Sequence, residues 1–302
     1  MKRRALAIGA GLELPASGPA AENVDVERVA EMLSRRGFEV DRLQGPAATR
    51  DGILAGYRRL AGALREGDAA VVYYSGHGGM VKVGARGDGA PLPTWLQYIA
   101  PTDFDETTED DFRGVSAWEL SLLLEELTAK TDNVTVILDC CHAAQMSRSH
   151  ATTGAAPRAI RRPIRIDAGK HYDRVHRDFG PIARLPQRGN PRAVRLAACG
   201  EWQSAFPTSD DQGRPTGLFT HELLATLDEV GEAEVSWQVV GAAVRTRVLR
   251  RAPTQRPMVE GPAHRRLFST LQAARSRSCS STRSSGSRKG GSPGSRWGTC
   301  TG

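Results

Sequence analysis

Short apolar runs alternate with amphipathic, helix-like stretches along most of this chain, and that alternation leaves few architectures open. Arg4 to Gly9, Phe38 to Leu43, Ala69 to Tyr74, Asn133 to Leu138 and Ala193 to Ala198 read as strands, with Ala69 to Tyr74 rich in β-branched and aromatic residues. Between them, Val24 to Arg36 puts Val26, Val29, Met32 and Leu33 on one helical face, with Gly37 as its C-cap. Thr49 caps a second helix whose apolar face carries Ile53, Leu54, Tyr57, Leu60 and Leu64. Ser116-x-x-Glu119 is a capping box that opens a third, running through Leu127. Leu218 to Glu229 and Trp237 to Arg250 read as two final helices, and the Gly/Pro-rich stretch from Gly76 to Pro93 as loop with room for a short hairpin. Helices follow strands nearly one for one. The economical result is an α/β fold with a mostly parallel central sheet covered by helices on both faces.

Length, charge and cysteine usage narrow the function classes. A chain of 302 residues with 39% hydrophobic and 25% charged content builds a full core. It contains no apolar run near the roughly 20 residues that cross a bilayer, and its first apolar run is too short for a signal peptide. A cytoplasmic location with no membrane partner is the expectation. Five cysteines are an odd number with no paired framework, and no second Cys or His half-site completes a zinc tetrahedron around Cys140-Cys141-His142. The net charge of +7 is uneven: Arg275, Arg277, Arg283, Arg288, Lys289 and Arg296 account for +6, leaving +1 for residues 1–272. Residues 146–193 hold eleven Lys/Arg against three Asp, so the remaining patterned part is at −7. The tail carries Trp297 as its one aromatic, and the basic residues of the two segments are not interleaved with aromatics on a patterned surface, which argues against a nucleic-acid partner. Residues 1–272 are therefore read as one domain carrying a basic insert at 146–193, and 273–302 as a disordered Ser/Arg/Gly-rich tail.

In parallel sheets the chemistry collects where strands end. Two strand ends here carry compact reactive sets: Ser75-Gly76-His77-Gly78-Gly79 and Asp139-Cys140-Cys141-His142-Ala143. Cysteine with histidine makes a hydrolytic pair, in which the thiolate attacks a carbonyl and the imidazole manages protons. The glycines beside His77 let backbone N–H groups approach a substrate, as an oxyanion hole needs. A single strand-end cysteine is ordinarily just a small buried hydrophobe, and a single histidine between glycines a loop residue. The conjunction of both sets on two neighbouring-strand candidates carries the catalytic reading.

Tyr73-Tyr-Ser-Gly-His-Gly78 followed by Asp139-Cys-Cys-His142 resembles the metacaspases and bacterial caspase homologues, and softer similarity runs over about residues 4–270. It includes Tyr98-Ile-Ala-Pro-Thr-Asp103, Leu196-Ala-Ala-Cys199 and Gly217-Leu-Phe-Thr220. The resemblance implies a caspase-like fold and a cysteine endopeptidase with His77 as catalytic histidine and Cys141 as nucleophile. It also implies an oxyanion hole from the N–H groups of Gly78 and Cys141. Cys140 turns its side chain away, and His142 is too close to the nucleophile in sequence to act as base. The family continues Cys-His-Ser-Gly where this chain has Cys141-His142-Ala143-Ala144, a change in the loop that holds the thiol.

The same resemblance makes Ser75 and Asp139 the lining of a pocket for the residue preceding the scissile bond (P1). An acid at its base favours Arg or Lys there. The insert at 146–193 offers Arg161-Arg162, Arg165, Arg184, Arg188 and Arg192 as self-cleavage points, and equally reads as a plain basic surface loop. The run Asp103, Asp105, Glu106, Glu109, Asp110, Asp111 has two readings, a calcium-activation site or a solvated acidic loop, and its spacing is not that of an EF-hand. The chemistry needs no cofactor. The rival from another class is a catalytically silent caspase-like scaffold, whose mark is loss of His77 or Cys141; both are present.

Overall fold

The computed structural model describes residues 1–12, 20–83, 94–140, 166–182, 190–200 and 202–273. Its centre is a six-stranded sheet built from β1 (Arg3–Ala10), β2 (Glu39–Gln44), β3 (Ala69–Gly76), β7 (Asn133–Asp139), β8 (Ala193–Ala197) and β11 (Met258–Glu260). The spatial order is β11-β8-β7-β3-β1-β2, parallel throughout except for the antiparallel edge strand β11. Helix α1 (Ala21–Arg35) connects β1 to β2, and α2 (Arg50–Ala63) connects β2 to β3. Between β3 and β7 the chain forms an antiparallel ribbon, β4 (Gly78–Lys82), β5 (Trp95–Ile99) and β6 (Val115–Ser116), and then α3 (Ala117–Thr128). Helix α4 (Ala168–Phe179) lies between β7 and β8. The hairpin β9 (Pro207–Ser209) and β10 (Pro215–Gly217) leads into α5 (Leu218–Val230) and α6 (Trp237–Arg251) before β11.

Strand alternation decides which helix each residue meets. Val71 and Tyr73 of β3, with Ile137 of β7, join one core formed with α1, α5 and α6. Ala70, Val72 and Tyr74, with Val134 and Val136, join a second core against α2 and α3. Every residue of β3 is buried, as a central parallel strand covered on both faces requires. A third cluster, under α3 and α4, includes Tyr98, Phe104, Phe112, Trp118 and Val175.

The α/β expectation holds, with five strands and five helices close to their sequence-based bounds. Thr49 accepts from the Gly52 N–H, and both halves of the Ser116–Glu119 capping box are made. Two expectations sharpen. The stretch after His77, read as loop with room for a short hairpin, opens with the strand Gly78–Lys82, which pairs antiparallel with Trp95–Ile99. The basic insert is not merely unpatterned: within it, α4 starts on an Asp167 cap and ends at Gly180, which sits at φ 91° where only glycine is comfortable. Residues 146–165 and 183–189 of the insert, and 274–302, lie outside the described residues. Among the described residues no helix is long and apolar enough to cross a membrane.

Candidate active site

The order β3-β1-β2 reverses the direction of winding between β3 and β1, and ligand sites of α/β sheets collect at the carboxyl ends of strands beside such a switch. The β3–β7 register ends on the pair Ser75↔Asp139. The two reactive segments thus leave adjacent strands at the same level. His77 lies two residues beyond Ser75, and Cys141 two residues beyond Asp139. Cys141, like His142 and Ala143, lies outside the described residues.

His77 is half-buried and its backbone is fixed from below. Its carbonyl accepts from the Tyr74 hydroxyl at 2.7 Å and from the Ala100 N–H at 3.0 Å. Gly76 is sterically required here. A Cβ on it would lie 2.5 Å from the Ala10 carbonyl oxygen and 2.6 Å from the Tyr74 hydroxyl. The Ala100-to-His77 bond also sets the ladder's phase, so Gly78↔Ile99 is a non-hydrogen-bonded pair. In such a pair the backbone groups turn outward, and the Gly78 N–H points away from β5.

Ser75 and Asp139 are fully buried. Odd-numbered positions of β3 and β7 face α1 and α5, and both side chains find partners there. The Ser75 hydroxyl donates to Asp25 Oδ2 at 2.7 Å, and Asp25 also accepts from the Thr216 hydroxyl and the Gly217 N–H. Asp139 Oδ2 accepts from the Thr220 N–H at 3.1 Å and the Thr220 hydroxyl at 2.6 Å. The Thr220 hydroxyl is in turn 2.7 Å from the Tyr73 hydroxyl. Sequence reasoning gave no role to Asp25. The available signal was a carboxylate four residues before Val29 on the apolar stripe of α1, a position that demands a buried polar partner.

Cys140 is buried in the core on the α2–α3 face, opposite Ser75 and Asp139, and so points away from them as expected. Its carbonyl lies 3.5 Å from the Cys199 thiol, and the Ala198 N–H donates to the Leu138 carbonyl at 2.9 Å. These contacts tie the end of β8 to the end of β7.

Three acids of the run, Asp103, Asp110 and Asp111, meet cations of the chain itself. Asp103 accepts from the Arg50 N–H at 2.8 Å and pairs with Arg113; Asp110 meets Lys170 at 2.5 Å and Asp111 meets Arg174 at 2.5 Å. The pairing with Asp110 holds the Lys170 ammonium above its usual range. Among the described residues no group of three His, Cys, Asp or Glu side chains converges as a cation site. The next layer inward is a buried ion pair between α2 and α3, with a histidine of α4 set against it. Arg50 pairs with Glu119 and donates to the Gly114 carbonyl at 2.9 Å, while His171 Nε2 lies 3.5 Å from Glu119. Burial pushes the Glu119 carboxyl up, but the Arg50 bond and charge outweigh it and hold it low. Burial also lowers His171 to about 4, against a smaller opposing pull from Glu119.

A solved structure of a Geobacter sulfurreducens protein is similar in fold: TM-score 0.64 at 22% identity, over 90% of this chain and 100% of that one. None of the curated proteins compared with the chain matches it. The caspase-domain family, peptidase C14, matches over residues 2–268, from the first strand through the return of the chain past β11. The match takes in the paired strand ends and the helices that hold them, and the chain belongs to the caspase-domain peptidase family.

Proposed function

We propose that the protein is a cysteine endopeptidase that cleaves after Arg or Lys, with His77 and Cys141 as its catalytic dyad. The observation that carries the proposal is the Ser75↔Asp139 register, which starts the two reactive segments side by side. In this reading the Cys141 thiolate attacks the peptide carbonyl to give a tetrahedral oxyanion. The N–H groups of Gly78 and Cys141 stabilise that charge, and the outward-turned Gly78 N–H suits the task. His77 protonates the leaving amine as the C–N bond breaks, and water then hydrolyses the thioester with His77 as base. The Tyr74 bond to the His77 carbonyl fixes the backbone from which the imidazole works.

Two buried carboxylates, Asp25 and Asp139, flank the Ser75 position and support a basic P1 residue, because a guanidinium there gains charge-assisted bonds. Protein or peptide chains are the substrates, and Arg-rich parts of residues 146–193 are candidate self-cleavage points. Cys140 and Cys199 are both buried thiols, a usage that suits a reducing cytoplasm. The test is hydrolysis of reporter peptides with Arg, Lys or Asp at P1 by wild type, His77→Ala and Cys141→Ala, with calcium and with a chelator. The expected result is cleavage after Arg and Lys only, loss of at least ~10³-fold in either variant, and no response to chelation. Full activity in Cys141→Ala overturns the mechanism, and preference for Asp overturns the specificity.

A further inference from the structure

We infer that Thr220, oriented by Tyr73, is a positioning residue for the Asp139 carboxylate and thereby sets selectivity for a basic P1 side chain. The inference rests on the basic-P1 reading above and deepens it. A tyrosine hydroxyl in an apolar core needs a partner. Tyr73 is fully buried among α1, α5 and α6 side chains, and it meets Thr220 at 2.7 Å.

The direction of the bonds follows from counting hydrogens. An ionised carboxylate only accepts, so the Thr220 hydroxyl donates its one hydrogen to Asp139 at 2.6 Å. The Tyr73 O–H must then donate to the Thr220 oxygen. The chain Tyr73→Thr220→Asp139 therefore has a single polarity, and each bond strengthens the next.

Helix α5 supplies the second fixing point. Its cap position is Gly217, with no side-chain cap and no acid in the first turn. The N–H groups at that helix start take their acceptors from other elements: Thr220 N donates to Asp139 at 3.1 Å, and Gly217 N to Asp25 at 3.1 Å. Asp139 is thus gripped on Oδ2 by both a backbone and a side-chain donor of one residue. That grip fixes the rotation of the carboxylate at the end of β7, where a long cationic side chain has to find it in one orientation.

The experiment compares Thr220→Val, Thr220→Ser and Tyr73→Phe with wild type, using peptides that differ only in Arg or Gln at P1. Each protein is also melted. Thr220→Val, nearly isosteric but without the hydroxyl, is expected to raise KM for the Arg peptide about tenfold with kcat changed less than about threefold. The Gln peptide should be nearly unaffected, so the Arg/Gln ratio of kcat/KM falls. Thr220→Ser keeps both donors and should retain the wild-type ratio, and Tyr73→Phe should lower it by about threefold. A Thr220→Val protein that melts lower but keeps the wild-type Arg/Gln ratio shows a cap for α5 and nothing more, and overturns the inference. If Thr220→Val does not fold, the Tyr73→Phe ratio decides alone. A wild type without preference for Arg overturns the basic-P1 reading and the inference together; a wild type with that preference and unchanged variants overturns the inference only.

Discussion

At the scale of single residues, the site depends on atoms that are missing as much as on atoms present. Gly76 has no side chain because Ala10 and Tyr74 already fill the space, and Tyr74 uses that closeness to hold the His77 carbonyl. Gly76→Ala should force the β3 end apart from β1. We expect a loss of about 1–3 kcal/mol in urea unfolding and about a hundredfold in kcat/KM, since a shift near 1 Å at a reacting group costs that much. A variant with both values at wild type would show that the close approach is slack. The sequence made His77, Ser75 and Asp139 legible because each closes an apolar run. It left Asp25 hidden, since a carboxylate inside an amphipathic helix announces burial only once its partner is known. Ser75 supplies that partner from β3, and no local pattern links the two.

At the scale of elements, α4 is the instructive case. Counting charges makes its segment look like solvated linker, and its apolar stripe is thin: Ala168, Val175 and the buried edge of Phe179, with His171 between. A histidine in a core position breaks the hydrophobic period, yet the Asp167 cap and Gly180 stop were both readable. What fastens α4 is its pair of ion pairs to the acidic run, Lys170 with Asp110 and Arg174 with Asp111, while a neutral His171 packs against the Glu119–Arg50 pair of α3 and α2. Glu119→Gln should cost about 3–5 kcal/mol, because it strands the buried Arg50 charge and weakens the α3 cap together. Acid should loosen the same joint. His171 falls from 6.5 to about 4 on folding, so below about 6.5 the unfolded chain binds a proton that the folded chain refuses. Stability then drops as pH falls from about 6.5 to 4, and the lowered Glu119 adds a further loss below its ordinary range. Arg50 and Arg174 face the same imidazole and deepen its aversion to charge, while Asp111 pulls weakly the other way. Denaturant midpoints measured across that range should fall more steeply for wild type than for His171→Gln; equal slopes would remove His171 as the cause.

At the scale of the molecule, one sheet serves both cores, so neither helical layer has a hydrophobic face to rest on without it. Unfolding of residues 1–272 should therefore be one transition, with tryptophan fluorescence and far-ultraviolet dichroism coinciding in urea. Separated midpoints would divide the chain into independent units. The parallel order was legible because helices intervene between strands at regular intervals. The ribbon β4-β5-β6 was not, because Gly78 and Gly79 open its first strand and its partner begins only at Trp95. Glycine weakens the strand signal, and the pairing that overrides it is non-local.

The two edges of the sheet differ in build and agree in effect. β2 presents Glu39, Asp41 and Arg42 to solvent, with Arg4 and Arg59 drawn onto the two acids. β11 is three residues long and stops at Gly261, whose φ of 78° bends the chain off the sheet. A stray extended peptide arriving at either margin finds charge or too few rungs to climb. A peptidase handles unfolded chains as its trade. Under the proposed function, the margins turn such chains away from the scaffold, and the carboxyl ends of β3 and β7 are left as the place where they are received.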